Sequence, residues 1–186
     1  MSPRIYLAGP DVFFHDALDV ANRKKELCAK AGLEGVFPLD NELDFAGHSP
    51  QQMGFKIGRS NFDLMRSCDA VIANLQPWHG PSADVGTVLE IGFMRGAGKP
   101  AFGYTNTPDI FERRVANFLL SDYGRDFQPG NSAFAGPGDP VFKNEEFDLI
   151  DNLMIDTAIG DHSAGIHLSF EEALEEVARY FRTLNA

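Results

Sequence analysis

Four short apolar runs that alternate with longer helical patterns limit the possible folds of this chain more than any other feature. The runs lack strict alternation of polar and apolar residues, which is typical of strands covered by helices on both faces. Parallel neighbours need a helical crossover between them, so strand followed by helix, repeated, predicts a parallel sheet in an α/β fold. The predicted strands are 4–9, 35–39, 70–75 and 101–105, and the predicted helices are 16–32, 51–68, 84–98 and 169–184.

The length and net charge of the chain limit the number of domains and the kinds of partner that it can bind. A chain of 186 residues with 44% hydrophobic residues can bury a sizeable core, and we expect one domain over 1–186. The net charge of −11 opposes binding to nucleic acid polymers, which depends on Lys and Arg. No signal-peptide core and no stretch of about 18 apolar residues is evident, so we expect a cytoplasmic protein without a membrane partner.

Metal and cofactor motifs are missing from the sequence. Cys28 and Cys68 lack metal-ligand spacing, and we expect both to be buried, reduced thiols. The histidines are scattered without the paired spacing of zinc sites. Neither a phosphate-binding P-loop nor a GxSxG nucleophile motif occurs. We therefore expect no metal and no cofactor.

Ligands of parallel α/β sheets bind at the carboxyl ends of the strands, and this rule selects the loops 9–14, 40–50 and 76–84 and the segment after Tyr104. Aromatic residues of these loops could form a wall for a flat heterocycle, or they could be isolated exposed aromatics, which are common. They are Phe13, Phe14 and Trp78. The loop-rich insertion at about 106–146 is long for a compact domain, so we expect it to cover the pocket or meet a neighbouring subunit, or else to be partly mobile.

Glu90 is an acid within the apolar run 88–91 of a predicted helix. An unpaired buried carboxylate costs several kcal/mol, so such a position favours a paired or functional group. Gly86 lies one turn earlier on the same face and would leave a hollow beside the carboxylate. The alternative is that Glu90 points outward or caps Thr87 locally.

Asp84 and Tyr6 each allow two interpretations. Asp84 stands where the third predicted helix begins, where an N-cap is the usual role of Asp, but from the preceding turn it could also reach the hollow beside Glu90. Tyr6 lies in the first predicted strand and could fill the core. If its hydroxyl instead faces the strand ends, it could hold a carboxylate by a short hydrogen bond.

Five motifs in this order and spacing resemble the nucleoside 2-deoxyribosyltransferase family. They are YLAGP (6–10), PLDNE (38–42), CDAVIANL (68–75), DVGTVLEIG (84–92) and NLMI (152–155). The resemblance covers most of 3–104 and resumes near 147–156. It implies a flavodoxin-like fold, nucleosides and nucleobases as substrates, a role in nucleoside salvage and a homo-oligomer.

The resemblance also implies roles for individual residues. Glu90 would be the nucleophile, Tyr6 would orient it, and Asp84 would help to protonate the departing base. Asn152 would bind the sugar hydroxyls, typically in the site of a neighbouring subunit of a dimer or hexamer, and Glu42 would face the base edge. Further candidate substrate-binding residues are Gly9, Phe13, Asn61, Asp63, Gly86 and Met154.

The chain departs from the family pattern at two places, and both concern the base. Where relatives often carry an Asp, this chain has Asn61, with Asp63 close by. Residues 77–80 are Pro-Trp-His-Gly, where related sequences often have Pro-Phe-Arg-Gly. The base-protonating residue and the base preference therefore stay open.

Three functions remain in view. The first is transfer of 2-deoxyribose between nucleobases through a covalent glycosyl-enzyme, with retained configuration. The second is an N-glycosidase acting on nucleosides or nucleoside 5′-monophosphates; an Asp at the helix start in GPSADVG (80–86) disfavours the phosphorylated substrates. The third is a nucleoside- or nucleotide-sensing module, which would have no reason to bury Glu90.

Overall fold

The computed structural model describes residues 2–123 and 145–184, and its centre is a parallel sheet. The strands are β1 (Arg4–Ala8), β2 (Glu34–Val36), β3 (Ala70–Asn74) and β4 (Ala101–Tyr104). All neighbours pair in parallel, in the order β2-β1-β3-β4. This is the strand order of flavodoxin-like doubly wound sheets, whose switch point lies between β1 and β3. The predicted α/β fold is confirmed.

Six helices occur in the described parts of the chain. They are α1 (Ala17–Lys30), α2 (Pro50–Ser67), α3 (Val85–Gly96), α4 (Phe111–Tyr123), α5 (Leu153–Gly160) and α6 (Phe170–Leu184). The four predicted helices agree with α1, α2, α3 and α6 to within about two residues. Helix α5 was not expected, and α4 lies within the segment that was predicted to be loop-rich. The Gly/Pro-rich stretch 128–140, on which that prediction depended, lies outside the described residues.

Two hydrophobic clusters cover the two faces of the sheet. Side chains of β1 alternate between them: Ile5 and Leu7 join the cluster with α1 and α6, whereas Tyr6 and Ala8 join the cluster with α2, α3 and α5. This alternation follows from the two-residue period of a strand. It places the Tyr6 side chain on the same face of the sheet as helix α3.

Short 3-10 turns follow β1 and β2 and change the direction of the chain at the strand ends. They span Pro10–Phe13 and Pro38–Asp40. Strand β2 therefore ends earlier than predicted, since Pro38 has no N–H to continue the ladder. Cys28 and Cys68 are buried free thiols, as expected. No helix among the described residues is long and apolar enough to cross a membrane.

Candidate active site

A cavity of about 300 Å³ opens at the carboxyl ends of β1 and β2, between the first helical turns of α3 and the middle of α2. Its lining residues come from two strand-end loops and two helices: Gly9, Val12, Phe13, Pro38, Leu39, Ile57, Asn61, Asp84, Gly86, Thr87 and Glu90. Six of them were singled out from the sequence. The apolar lining residues Val12, Leu39 and Ile57 were not, although Ile57 precedes Asn61 by one helical turn and so shares its face.

Glu90 is partly buried on the cavity wall and accepts a hydrogen bond from the Tyr6 hydroxyl, with 2.7 Å between Tyr6 Oη and Glu90 Oε1. Tyr6 itself is fully buried. Burial raises the pKa of Glu90 to about 7, against the lowering effect of the Tyr6 bond, and the nearby charge of Asp84 raises it further. Burial, together with the Glu90 charge, raises the pKa of Tyr6 well above its usual range. The phenol is therefore the donor and the carboxylate the acceptor.

Asp84 is both the N-cap of α3 and part of the cavity wall. Its Oδ2 accepts from the Thr87 backbone N at 2.9 Å and from Thr87 Oγ1 at 3.2 Å. Gly86 and Glu90 line the same cavity, where the sequence predicts a hollow beside the carboxylate. A Cβ at Gly86 would lie 2.9 Å from Asp84 Oδ2. Gly86 thus lets Asp84 lie close to the helix and brings two carboxylates to one cavity.

The loop aromatics form one cluster at the cavity mouth. Phe13 lines the cavity and stacks on Trp78, with ring centroids 5.8 Å apart and an angle of 14° between the planes. Phe14 contacts the same indole at 5.9 Å. Phe13 is 64% exposed although one side of its ring stacks on Trp78. A flat ligand could stack on this supported ring.

Gly9 and Asn61 lie on the lining for different physical reasons. Gly9 has φ 152°, and a Cβ there would lie 2.6 Å from Asp11 Oδ2 and 2.7 Å from Asn74 Cβ, so only glycine fits. Asn61 Oδ1 is buried with no hydrogen-bond partner within the described part of the chain. A buried acceptor without a partner is costly, which favours an N–H or O–H group of a ligand beside it.

Five candidate residues are absent from the cavity lining: the buried Tyr6, which contacts Glu90, and four others. Glu42 is exposed, and the mostly exposed Asp63 pairs with Arg66 at 2.6 Å. Asn152 caps α5 through a bond from the Met154 backbone N to its Oδ1 at 3.0 Å, while the Met154 side chain is exposed. The expected places of Glu42 and Asp63 beside the base are therefore not seen within one chain. The Asn152 side chain also donates from Nδ2 to Glu145 Oε1, so both ends of its amide are bound within the chain at the start of α5.

Sequence reasoning missed a buried polar cluster directly behind the cavity. Lys24 Nζ donates to Asp11 Oδ2 at 2.8 Å and to Tyr104 Oη at 2.7 Å, and Asn74 Nδ2 donates to Asp11 Oδ1 at 3.1 Å. Lys24 and Asp11 are 4% and 3% exposed. The cluster fixes the turn that follows β1, which carries three of the lining residues. The spacing of Ala21, Lys24 and Cys28 on one helix face was a signal that could have found it.

Other parts of the described surface offer no comparable chemistry. Two larger depressions, of about 430 and 460 Å³, lie on the outer face of α2 and beside β2, and neither contains a buried carboxylate. Within residues 2–123 and 145–184, no group of three or more His, Cys, Asp or Glu side chains could hold a metal ion. The absence of a metal from the reaction stays a prediction.

Replacing Tyr6 with phenylalanine should raise the pKa of Glu90 above about 7, because the lost hydrogen bond lowers that pKa in the intact protein. If ionised Glu90 is required, turnover should rise with pH through the Glu90 pKa, and the acidic limb should move to higher pH in this variant. We expect kcat to fall at least about tenfold. Rate–pH profiles of the variant and of a Tyr180→Phe control, changed on the other face of the sheet, measure this. An unmoved acidic limb would contradict the assignment.

Comparison with known proteins gives the family and the fold of this chain. The sequence profile described as nucleoside 2-deoxyribosyltransferase matches residues 5–154. A 2-desoxiribosyltransferase from Leishmania mexicana superposes with a TM-score of 0.66 at 26% identity, over 95% of this chain and 97% of that one. A conserved protein from Enterococcus faecalis V583 shares the fold, with a TM-score of 0.57 at 19% identity, over 96% and 99% of the two chains.

A curated relative from Schizosaccharomyces pombe, the uncharacterized protein C191.05c, is 33% identical over 129 residues, which are 68% of this chain and 61% of that protein. The match thus spans less than two thirds of that relative's length. The profile, in contrast, spans most of this chain and includes Tyr6, Asp84, Glu90 and Asn152. This chain belongs to the nucleoside 2-deoxyribosyltransferase family.

Proposed function

We propose that this protein transfers 2-deoxyribose from one nucleobase to another through a covalent intermediate on Glu90. The observation that carries the proposal is the 2.7 Å hydrogen bond between Tyr6 and Glu90 on the wall of a cavity at the strand ends. A carboxylate that is held by a buried phenol and faces an open cavity has the orientation that a nucleophile needs. Asp84 on the same wall supplies a second carboxyl group.

The proposed reaction has two half-reactions. In the first, which starts with Asp84 protonated, a bond forms between Glu90 and C1′ of the sugar while the C1′–N bond breaks, and the departing base takes the Asp84 proton and leaves a carboxylate. In the second, an incoming base returns a proton to Asp84, its nitrogen attacks C1′, and Glu90 is released as a carboxylate. Two displacements retain the configuration at C1′. A 2-deoxy sugar suits this path because no hydroxyl at C2′ withdraws charge from the oxocarbenium-like transition state.

The lining favours an unphosphorylated sugar. Among the residues that the structure describes, it contains the two carboxyl groups of Asp84 and Glu90 and no Lys, Arg or His side chain. A phosphate would meet negative charge without a cation to bind it, whereas phosphate sites use Arg, Lys or free helix N-terminal N–H groups. The N-terminus of α3 is already capped by Asp84. We therefore propose nucleosides, rather than nucleoside 5′-monophosphates, as substrates.

Hydrolysis is the nearest alternative to transfer, and the choice between them depends on how well water is kept out of the cavity. Exposed apolar residues surround the cavity mouth. Phe13, Leu39, Val85 and Leu89 are 46% to 85% exposed in the single chain. Large exposed apolar groups around a pocket favour a partner surface. We propose that a second copy of the chain covers this rim, brings Asn152 near the sugar and excludes water, so that transfer prevails over hydrolysis.

Incubation of the protein with deoxyadenosine, with and without cytosine, tests the function. We expect free adenine and new deoxycytidine by chromatography, and little adenine without cytosine. Adenine release that is independent of cytosine would establish hydrolysis instead. No product with any deoxynucleoside and acceptor base would favour the sensing module. Deoxyadenosine 5′-monophosphate in a parallel reaction tests the expected exclusion of phosphorylated sugars.

Replacing Asp84 with asparagine should lower kcat for deoxyadenosine by about 10²–10⁴-fold, because Asn cannot deliver a proton to the base. Asn is as good an N-cap as Asp, so α3 should keep its stability, which thermal unfolding measures. The variant should be close to wild type with 7-methyl-2′-deoxyguanosine, whose cationic base leaves without protonation. An equal loss on both nucleosides would contradict the role of Asp84 as an acid.

A further inference from the structure

The three residues before Asp84 are all held by one buried ion pair. Arg114 Nη2 lies 3.1 Å from Asp151 Oδ2, with side-chain exposures of 8% and 1%. Asp151 accepts from Ser82 Oγ at 2.5 Å and from the Ala83 backbone N at 3.1 Å. These contacts fix the loop segment that leads directly into Asp84.

Arg114 also donates hydrogen bonds to backbone carbonyls in three separate parts of the chain. Its Nε donates to the Pro81 carbonyl at 2.7 Å, and its Nη1 donates to the carbonyls of Asp109 at 2.6 Å and Ile150 at 2.5 Å. The planar guanidinium can make such a set of bonds in one geometry, which lysine cannot. One side chain of α4 therefore joins the loop before α3 to the segment before α5.

Besides these contacts, a backbone hydrogen bond from the Trp78 N to the Ser82 carbonyl at 3.0 Å closes the loop. Residues 79–83 form neither helix nor strand. Asp84 has ψ 133°, outside the helical region, although its carbonyl accepts the first hydrogen bond of α3, from the Val88 backbone N at 3.0 Å. A buried ion pair is seldom the most stable choice, because apolar residues of similar volume would often do as well or better. The polar contacts of this pair instead specify where the loop backbone lies.

From these contacts we propose that Arg114 and Asp151 are positioning residues that hold Asp84 in place to protonate the departing base. The inference rests on the proposed function of Asp84. Arg114 does not line the cavity, so it acts through the loop and makes no contact with substrate. A displacement of about 1 Å in an acid far from the changed residue can cost about 10²-fold in rate.

Arg114→Met tests the proposal, with Arg113→Met as the matched control, since Arg113 is the neighbouring, exposed arginine and pairs with Asp109 at the surface. For deoxyadenosine we expect kcat of Arg114→Met to fall about 10–100-fold, with KM changed less than about threefold. With 7-methyl-2′-deoxyguanosine, the kcat of Arg114→Met should return to near that of the wild type. The control should match the wild type on both nucleosides. If Arg114→Met does not fold, Arg114→Lys is used in its place, because lysine keeps the positive charge but lacks the planar guanidinium.

The double variant Arg114→Met with Asp84→Asn separates positioning from general destabilisation. If Arg114 acts through Asp84, its loss should add little to the loss of Asp84, and the double variant should have the kcat of Asp84→Asn within about threefold. The inference about Arg114 would be overturned if the fold-losses of kcat in the two single variants multiplied in the double variant. It would also be overturned if Arg114→Met lowered kcat equally for both nucleosides. Neither result would refute the proposed function. Wild-type activity of both Asp84→Asn and Glu90→Ala would instead refute the proposed function.

Discussion

Glu90→Ala is expected to lower base exchange by on the order of 10³-fold or more while the protein stays folded. Removal of a covalent nucleophile leaves only binding and the acid to assist the reaction. Chromatographic assay of deoxycytidine formation measures the loss, and circular dichroism checks the fold. A 2-fluorinated deoxynucleoside, which slows breakdown of the intermediate, should add the sugar mass to the peptide that contains Glu90 in the wild type and to no peptide in the variant. Exchange at the wild-type rate would refute the mechanism.

The same side chain should limit stability at neutral pH. Because the pKa of Glu90 is raised to about 7, ionisation between its unfolded value near 4.5 and about 7 favours the unfolded state. The contribution of Glu90 to the free energy of unfolding is therefore fully present below about pH 4 and is lost as the pH rises through about 7. Glu90→Gln cannot ionise and should be more stable than wild type by ~2 kcal/mol at pH 8, with no difference at pH 4. Denaturant unfolding at the two pH values measures this, and an equal gain at both would contradict the raised pKa.

Lys24→Met is expected to lower the free energy of unfolding by about 3–5 kcal/mol, because it leaves the Asp11 carboxylate charged and buried without its partner. The cation lies 2.8 Å from Asp11 and 2.7 Å from the Tyr104 hydroxyl, and neither group reaches water. For a chain of this length the midpoint of thermal unfolding should fall by roughly 10 °C. Calorimetry or thermal circular dichroism measures the shift.

Lys25→Met is the matched control for this substitution. Lys25 is the next residue of the same helix, but it pairs with Asp40 near the surface, where both side chains are about one third exposed. Such pairs contribute only about 0–1 kcal/mol, so the midpoint should move by a few degrees at most. Similar losses for the two lysines would show that the buried cluster does not stabilise the turn behind the cavity. Adding Asp11→Asn to Lys24→Met should recover part of the loss, since no charge then remains buried.

Two pairs of neighbouring residues show that sequence patterns do not identify the tertiary partners of a side chain. Lys24 and Lys25 are the same residue type in one helix, and Arg113 and Arg114 are as well. In each pair one side chain is buried in a polar cluster and the other lies at the surface. Helical spacing places Lys24 on the apolar face, yet its partners Asp11 and Tyr104 come from distant parts of the chain. Local periodicity reports a face and contains no information on what packs against it.

The sequence by itself determined the order of the four strands and of helices α1, α2, α3 and α6, because apolar periodicity and capping residues act over a few neighbouring positions. It also singled out Glu90, since an acid within an apolar run is costly wherever the helix packs. Only the tertiary structure decided which face of β1 carries Tyr6, because a strand buried on both sides has no polar alternation to show it. The pairing of β1 with β3 and the packing of α3 then brought the buried Tyr6 hydroxyl to Glu90, which lines one cavity with Asp84, although Tyr6 and Glu90 are 84 residues apart in the chain.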